Sequence, residues 1–334
     1  MECFFITGGI LTAKRLNKEF KNDINKLKWI GQFWIKRFFR IVPVTALIVI
    51  LTLTSNSEIF APYSFGFEKE NCMKFWWMAL AMNFIDVSKQ FASHIWYVSV
   101  FLQLTLAAPF VFLAIRHKTF GNFITTFVLA ASTVLRFSHT FSGFYDKALV
   151  KNGFLTHFGE IVLKYQSLQY RLLPFFGGMI LEQYWNNRLK KFQIRIWKIS
   201  VLLMILATTL NICGRLQLSI LTSILDIILM YCLLVLIDSC HHSNGRVKKF
   251  LSRKFWSTIS KMGLSIYLFS GHIQFTIYER QLEPLEVKNE LHFISMFFVD
   301  IVKMSIPILL TFLLIDEPFS AFGEFLARIF FLKS

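Results

Sequence analysis

Arg37 and Arg40 stand three residues apart in "FWIKRFFRIVP", residues 33–43, where a basic stretch runs into an apolar one. Guanidiniums at i and i+3 share one face of a helix. A pair so placed can grip a phosphate or pyrophosphate bidentately. The same residues suit a plain basic anchor whose side chains snorkel to lipid headgroups, and spacing alone leaves both readings open. Two histidines lie at or within apolar runs, His94 at the mouth of one and His272 inside another. His94 opens "HIWYVSVFLQLTLAAP", residues 94–109, and His272 interrupts "GLSIYLFSGHIQFTIYERQ", residues 263–281. An imidazole there is costly unless it faces a cavity or a partner, and it can act as acid or base. Both are weak catalytic candidates beside the simpler reading of histidines satisfied by neighbouring helices.

Four further residues suggest a pocket: Trp96, Tyr97, Gln103 and Arg171. Gln103 sits seven residues after Trp96 in an apolar run, with Ser99 four residues earlier on the same helical face. An amide in hydrocarbon must find a partner, so Gln103 points into a bundle, as glue between helices or toward a cavity. Arg171 opens "RLLPFFGGMIL", residues 171–181. There Pro174 and the Gly177–Gly178 pair mark a kink, an opened site or close helix packing. Asp226 lies mid-span in "LTSILDIILMYCLL" and requires a basic partner that the sequence does not name. No Ser-His-Asp order, phosphate-binding glycine loop or HEXXH motif occurs, and no metal-ligand spacing accompanies the His241–His242 pair.

The elements that must position these groups are membrane helices. Of 334 residues, 55% are hydrophobic and 17% aromatic, with 39 Phe. A soluble domain carries about 45–50% apolar residues. The excess comes in blocks of bilayer-spanning length, at about 3–13, 41–55, 95–115, 119–137, 170–185, 196–213, 218–237, 257–278 and 291–315. The expected fold is an all-α, polytopic transmembrane bundle of about nine spans, in a single domain over residues 1–334. A strand barrel would show short alternating segments instead.

The net charge of +16 does not indicate nucleic acid, because the basic residues concentrate in a few stretches between apolar blocks. The first, 14–40, reads as a basic cytoplasmic loop. Further basic loops fall at 186–198 and 238–256. Residues 56–94 carry acidic groups and the aromatic segment 73–85, and read as an extracytoplasmic loop with an interfacial stretch. Alternation of signs then puts the C-terminus in the cytoplasm and the N-terminus outside, as if one upstream span were missing. Five scattered cysteines form no redox or metal motif.

Taken as an ordered series, these blocks resemble the acyltransferase-3 membrane family, with the closest likeness to its animal "nose resistant to fluoxetine" branch. "ECFFITGGILTAKRL" resembles that family's F-F-x-x-S-G-x-L segment, and "FWIKRFFRIVP" its R-x-x-R-x-x-P motif at Arg37, Arg40 and Pro43. "ENCMKFWW" resembles E-N-C-x-x-x-W-W. Residues 94–109 resemble H-T-W-Y-L-x-x-D-x-Q-x-x-x-x-x-P, matching at His94, Trp96, Tyr97, Gln103 and Pro109. "RLLPFFGGMIL" resembles R-x-x-P-Y-x-x-G at Arg171, Pro174 and Gly178; "LSIYLF" and "DEPFSAFGEFL" resemble the family's Y-S-x-Y-L and E-x-P-x-x-x-L-E endings, including Glu317.

The resemblance implies ten helices and transfer of an acyl group, typically from acyl-coenzyme A, to a hydroxyl of a lipid, sugar or other acceptor. Arg37 and Arg40 would hold the donor's phosphates. Acyl-CoA then enters as a substrate, with no bound cofactor and no metal, and the partners are membrane lipid, the donor and the hydroxyl acceptor. The expected location is an integral, multi-pass place in the plasma membrane or the endoplasmic reticulum. Departures are specific. The family's first-helix histidine, its implied base, has no counterpart here. Its acid two positions before the Gln is Phe101, the histidine after Y-L-x aligns with Ser270, and the cysteine that could pair with Cys72 aligns with Phe91. These losses imply an alternative: a non-catalytic, degenerate paralogue that binds or transports a lipid or small amphiphile.

Overall fold

The computed structural model describes residues 2–22, 26–54, 72–77, 95–117, 119–149, 168–184, 219–242, 249–250, 252–269 and 290–332. Among them there is no strand. The longer helices are α1 (Glu2–Asn22), α2 (Lys26–Thr54), α4 (Trp96–Ile115), α5 (Gly121–Leu149), α6 (Leu168–Tyr184), α7 (Ser219–His242), α10 (Glu290–Thr311) and α11 (Glu317–Leu332). Shorter helices are α3 (72–77), α8 (Lys254–Lys261) and α9 (263–269). Three stretches are long and apolar enough to cross a bilayer: Lys28–Thr54, Trp96–Ile115 and Phe298–Phe331. The all-α membrane class expected from composition is therefore the observed one.

Boundaries differ from the hydropathy reading where charges lie on helices. The stretch 14–40 is not an irregular loop. Residues 14–22 belong to α1 and 26–40 to α2, with 23–25 outside the described residues. Likewise the block read as 3–13 is a helix of 21 residues. Lys, Arg and Glu are good helix formers, so α1 and α2 continue where hydropathy falls. The block 196–213 and the loop 186–198 lie outside the described residues, as does 56–94 apart from 72–77. On α3, Trp76 and Trp77 are exposed.

The chain divides into two compact units. The first comprises Met1–Ile24 and Gln103–Ser252, the second Asn25–Leu102 and Arg253–Ser334.

In the first unit, α1 packs most extensively on α6. Glu2 meets Arg171 near one end, and Lys14 lies 3.8 Å from Glu182 near the other, so the two helices run parallel. Glycines permit their close approach. A Cβ on Gly9 would strike the Phe175 carbonyl, and one on Gly178 would strike the Ile6 carbonyl. Small residues at such crossings let membrane helices gain dispersion contact, which replaces a hydrophobic drive that lipid does not supply. Ile6, Ile10, Leu173, Leu181, Met230 and Leu234 form the apolar core beside the crossing.

In the second unit, α2 presents a buried stripe at helical spacing: Ile30, Phe33, Arg37, Ile41, Val44, Ile48 and Thr52. Its apolar part packs with Val98 and Leu102 of α4, Leu268 and Phe269 of α9, and Met304 and Ile308 of α10. Thr45 and Thr52 donate to the carbonyls of Ile41 and Ile48 at 3.0 and 2.8 Å, so their hydroxyls are satisfied within the helix. Helices α2 and α11 lie antiparallel. Gly31 sits under the Phe331 ring, a Cβ on Gly323 would come 2.7 Å from Phe39 Cβ, and the Phe39 and Phe322 rings meet edge to face at 5.4 Å. Between α10 and α11 runs a π-helical turn, Phe312–Asp316, in which the Glu317 N–H bonds to the Phe312 carbonyl. Pro318 follows it. With no N–H at 318 the ordinary bond to residue 314 cannot form, and the wider turn accommodates the gap.

Candidate functional site

Arg37 is where the sequence reading placed chemistry, and the second unit buries it. Only 9% of the residue is exposed. It lies on the core stripe of α2 between Phe33 and Ile41, one helical turn from each. Its guanidinium carbon stands 5.4 Å from the Phe33 ring centre and 5.8 Å from that of Phe101 on α4. Guanidinium over an aromatic face is favourable, more so away from water. Tyr97 stacks on Phe101 at 5.8 Å with 17° between planes, and meets Tyr267 of α9 at 5.0 Å. Trp96 is buried and meets Tyr97 edge to face at 6.2 Å. The sequence-predicted Arg37, Trp96 and Tyr97 therefore belong to one neighbourhood, a cation walled by rings. Arg40, three residues on, is half-buried. Near it, Asp316 ends the π turn with 3% exposure and accepts a hydrogen bond from the buried Ser265 hydroxyl at 3.1 Å.

The first unit holds the second polar group, and most of it was not foreseen. Asp226 of α7 finds its partner in Arg136 of α5. Arg136 Nε donates to Oδ2 at 2.7 Å and Nη2 to Oδ1 at 3.0 Å, a bidentate fork. Tyr170 O–H also donates to Asp226 Oδ1, at 2.8 Å. Arg136 Nη1 donates to the Tyr170 carbonyl at 3.0 Å, and its guanidinium carbon lies 3.8 Å from the Tyr170 ring centre. Arg171, fully buried on α6, donates from Nη1 to Glu2 Oε1 and lies over the Phe5 and Tyr170 rings. Arg136 Nη2 reaches the same Glu2 oxygen at 3.4 Å. Among the described residues, two guanidiniums and two carboxylates from four helices thus converge in one cluster.

Of the predicted site residues, Arg171 belongs to this cluster. Gln103 is half-buried on the part of α4 that falls in the first unit. His94 and His272 lie outside the described residues. Glu2, Arg136, Tyr170, Ser265 and Asp316 were not singled out in the sequence as partners in these contacts. The signal for Arg136 was present: a cation deep in an apolar helix, in a chain whose Asp226 had the opposite need. Among the described residues, no group of three or more His, Cys, Asp or Glu side chains could hold a metal ion. Cys3, Cys72 and Cys232 are thiols.

Against known families, one model matches residues 1–316, and its description is an acyltransferase domain. The chain belongs to the acyltransferase-3 family. Neither a curated protein nor a solved structure gives a match. The family is one of integral membrane acyltransferase domains, in agreement with the helical fold and the apolar spans. Arg37 and Arg40, the ringed tyrosine pair and the Glu2–Arg171 contact all fall inside the acyltransferase match. So does Asp316, its last residue.

Proposed function

We propose that this acyltransferase-3 member takes an acyl group from acyl-coenzyme A and transfers it to a hydroxyl of a lipid, sugar or other acceptor. The observation that carries the proposal is the position of Arg37. An anchoring arginine snorkels toward headgroups. Arg37 instead occupies the core stripe of α2 beside Phe33 and Phe101, with half-buried Arg40 one turn away. A buried cation at a membrane entrance suits recognition of an anion, and the donor's phosphates are that anion. Trp96 and Tyr97 line the same neighbourhood. The basic ends of α1 and α2 face the cytoplasm on this reading, as does the C-terminus, and accessible tags in the 186–198 loop would report from the cytosol. The ordered series of segments, taken together, supports the animal "nose resistant to fluoxetine" branch.

The test is coenzyme A binding by the full chain in lipid nanodiscs. Each hydrogen bond to a charged group contributes about 1.5–3 kcal/mol. The Arg37→Ala, Arg40→Ala double variant should therefore bind coenzyme A at least about tenfold more weakly than the wild type. Unchanged binding in a folded double variant would return both residues to the anchor role.

One observation favours a second reading, a non-catalytic binder of a lipid or small amphiphile. Phe101 stands where the family carries an acid, and its ring packs on Tyr97 and against Arg37. Retained binding of acyl-CoA with no transfer to any hydroxyl would select this reading.

A further inference from the structure

We propose that Asp316 is a positioning residue for the donor site: its carboxylate, tethered by Ser265, orients the Arg40 guanidinium for the phosphates of the acyl donor. The inference deepens the acyl-transfer reading and rests on it for the identity of the ligand. Every residue in it belongs to the second unit.

Asp316 closes the π turn, and that turn packs on α2. Contacts on both sides bring the acid to the level of Arg40. On one side Ile315 packs into the apolar cluster that holds Ile41, the residue after Arg40, and Val44, one turn further on. On the other, Phe39, the residue before Arg40, meets Phe322 and lies against Gly323 of α11. A carboxylate buried there calls for a hydrogen-bond donor and a cation. Ser265, itself fully buried on α9, supplies the donor at 3.1 Å. Arg40 supplies the attraction, against the repulsion of neighbouring Glu317. Two residues beyond Ser265, Tyr267 meets Tyr97, whose ring stacks on Phe101 beside Arg37. One short helix therefore touches the surroundings of both arginines.

The arrangement attracts Arg40 without occupying it. Among the described residues, no hydrogen bond or direct ion pair takes up the Arg40 guanidinium. Its donors stay available to a phosphate, while the fixed carboxylate limits where the long side chain can swing. An arginine left to choose among rotamers would have to be ordered by the ligand, and that ordering weakens binding. The acid's charge taken alone acts the other way, since a carboxylate near a bound phosphate repels it. The two effects therefore have opposite signs. Loss of the acid weakens donor binding only if the acid works through Arg40.

The test is a double-mutant cycle on coenzyme A affinity, with the full chain in nanodiscs: wild type, Asp316→Asn, Arg40→Ala and the two together. Asparagine keeps the shape and an acceptor for the Ser265 hydroxyl, and removes the charge. Asp316→Asn should weaken coenzyme A binding about two- to tenfold, the cost of ordering one rotamer-rich side chain. In the Arg40→Ala background the same change should weaken it no further. Ser265→Ala, which keeps every charge and frees the acid, should also weaken binding only where Arg40 is present, and it decides the matter if the Asn variant does not fold. Equal weakening by Asp316→Asn in both backgrounds would make the acid a general support of the fold and overturn the inference. So would unchanged or tighter binding in Asp316→Asn while Arg40→Ala alone weakens it, and in that case the donor role of Arg40 stands. Unchanged binding in folded Arg40→Ala would overturn the donor role itself and the positioning role with it.

Discussion

Replacing Arg136 by leucine leaves the Asp226 carboxylate inside the bundle with one remaining hydrogen bond, from the Tyr170 hydroxyl. The fork that is lost consists of two charge-assisted bonds, of 2.7 and 3.0 Å. At about 1.5–3 kcal/mol each, their removal costs about 3–6 kcal/mol, in line with the roughly 3–5 kcal/mol measured when one partner of a buried pair is deleted. Interhelical polar contacts in membrane proteins average only about 0.6 kcal/mol, because the unfolded chain in lipid finds other partners. The two expectations are far enough apart to be separated. The double variant Arg136→Leu, Asp226→Leu removes both charges, keeps the Glu2–Arg171 pair and should lose no more than about 2 kcal/mol, since apolar replacement of a buried pair is often neutral. The coupling energy in this double-mutant cycle should then exceed about 2 kcal/mol. Equilibrium unfolding in mixed micelles, followed through the eight tryptophans, measures it. A loss below about 1 kcal/mol for Arg136→Leu, with no rescue by the second change, would show that the fork does not organise α5 and α7.

Gly178→Ala should destabilise the first unit by about 1–3 kcal/mol in the same assay, because its Cβ meets the Ile6 backbone, which cannot yield without separating α1 from α6. Gly177→Ala should cost less, since its Cβ meets only the end of the Leu234 side chain, 2.9 Å away. Lys14→Ala should change stability by no more than about 1 kcal/mol. Its 3.8 Å contact with Glu182 involves a lysine side chain that is 35% exposed, and such pairs are weak. Coenzyme A binding should weaken as salt rises in wild type and lose most of that salt dependence in the Arg37→Ala, Arg40→Ala variant.

The class of fold was legible because lipid imposes it: apolar runs of bilayer length with basic flanks admit little other than a helical bundle. The i, i+3 pair of Arg37 and Arg40 was visible at the end of such a run, but the place of Arg37 on the buried stripe of α2 was not. The Gly177–Gly178 pair announced close packing, and Gly178 indeed backs onto α1. Helix ends were misread wherever charge met helix, as along 14–40, because hydropathy measures the solvent and not the backbone. The partner of Asp226 was not legible, since Arg136 lies 90 residues earlier and nothing in a single sequence specifies which helices face each other. Its need for a cation was legible. The π turn had only Pro318 to signal it, and the Ser265–Asp316 bond spans 51 residues.

Acyl transfer by a membrane-embedded chain is measured most directly as product formation. Full-length protein in nanodiscs would be supplied with labelled acyl-CoA of several chain lengths and a membrane lipid extract, and label would be followed into lipid esters. Acyl transfer should give ester formation that depends on the chain, releases free coenzyme A in equal amount and falls in the Arg37→Ala, Arg40→Ala variant. Acyl-CoA bound by the protein with no label in any ester would contradict it and leave the chain as a binder.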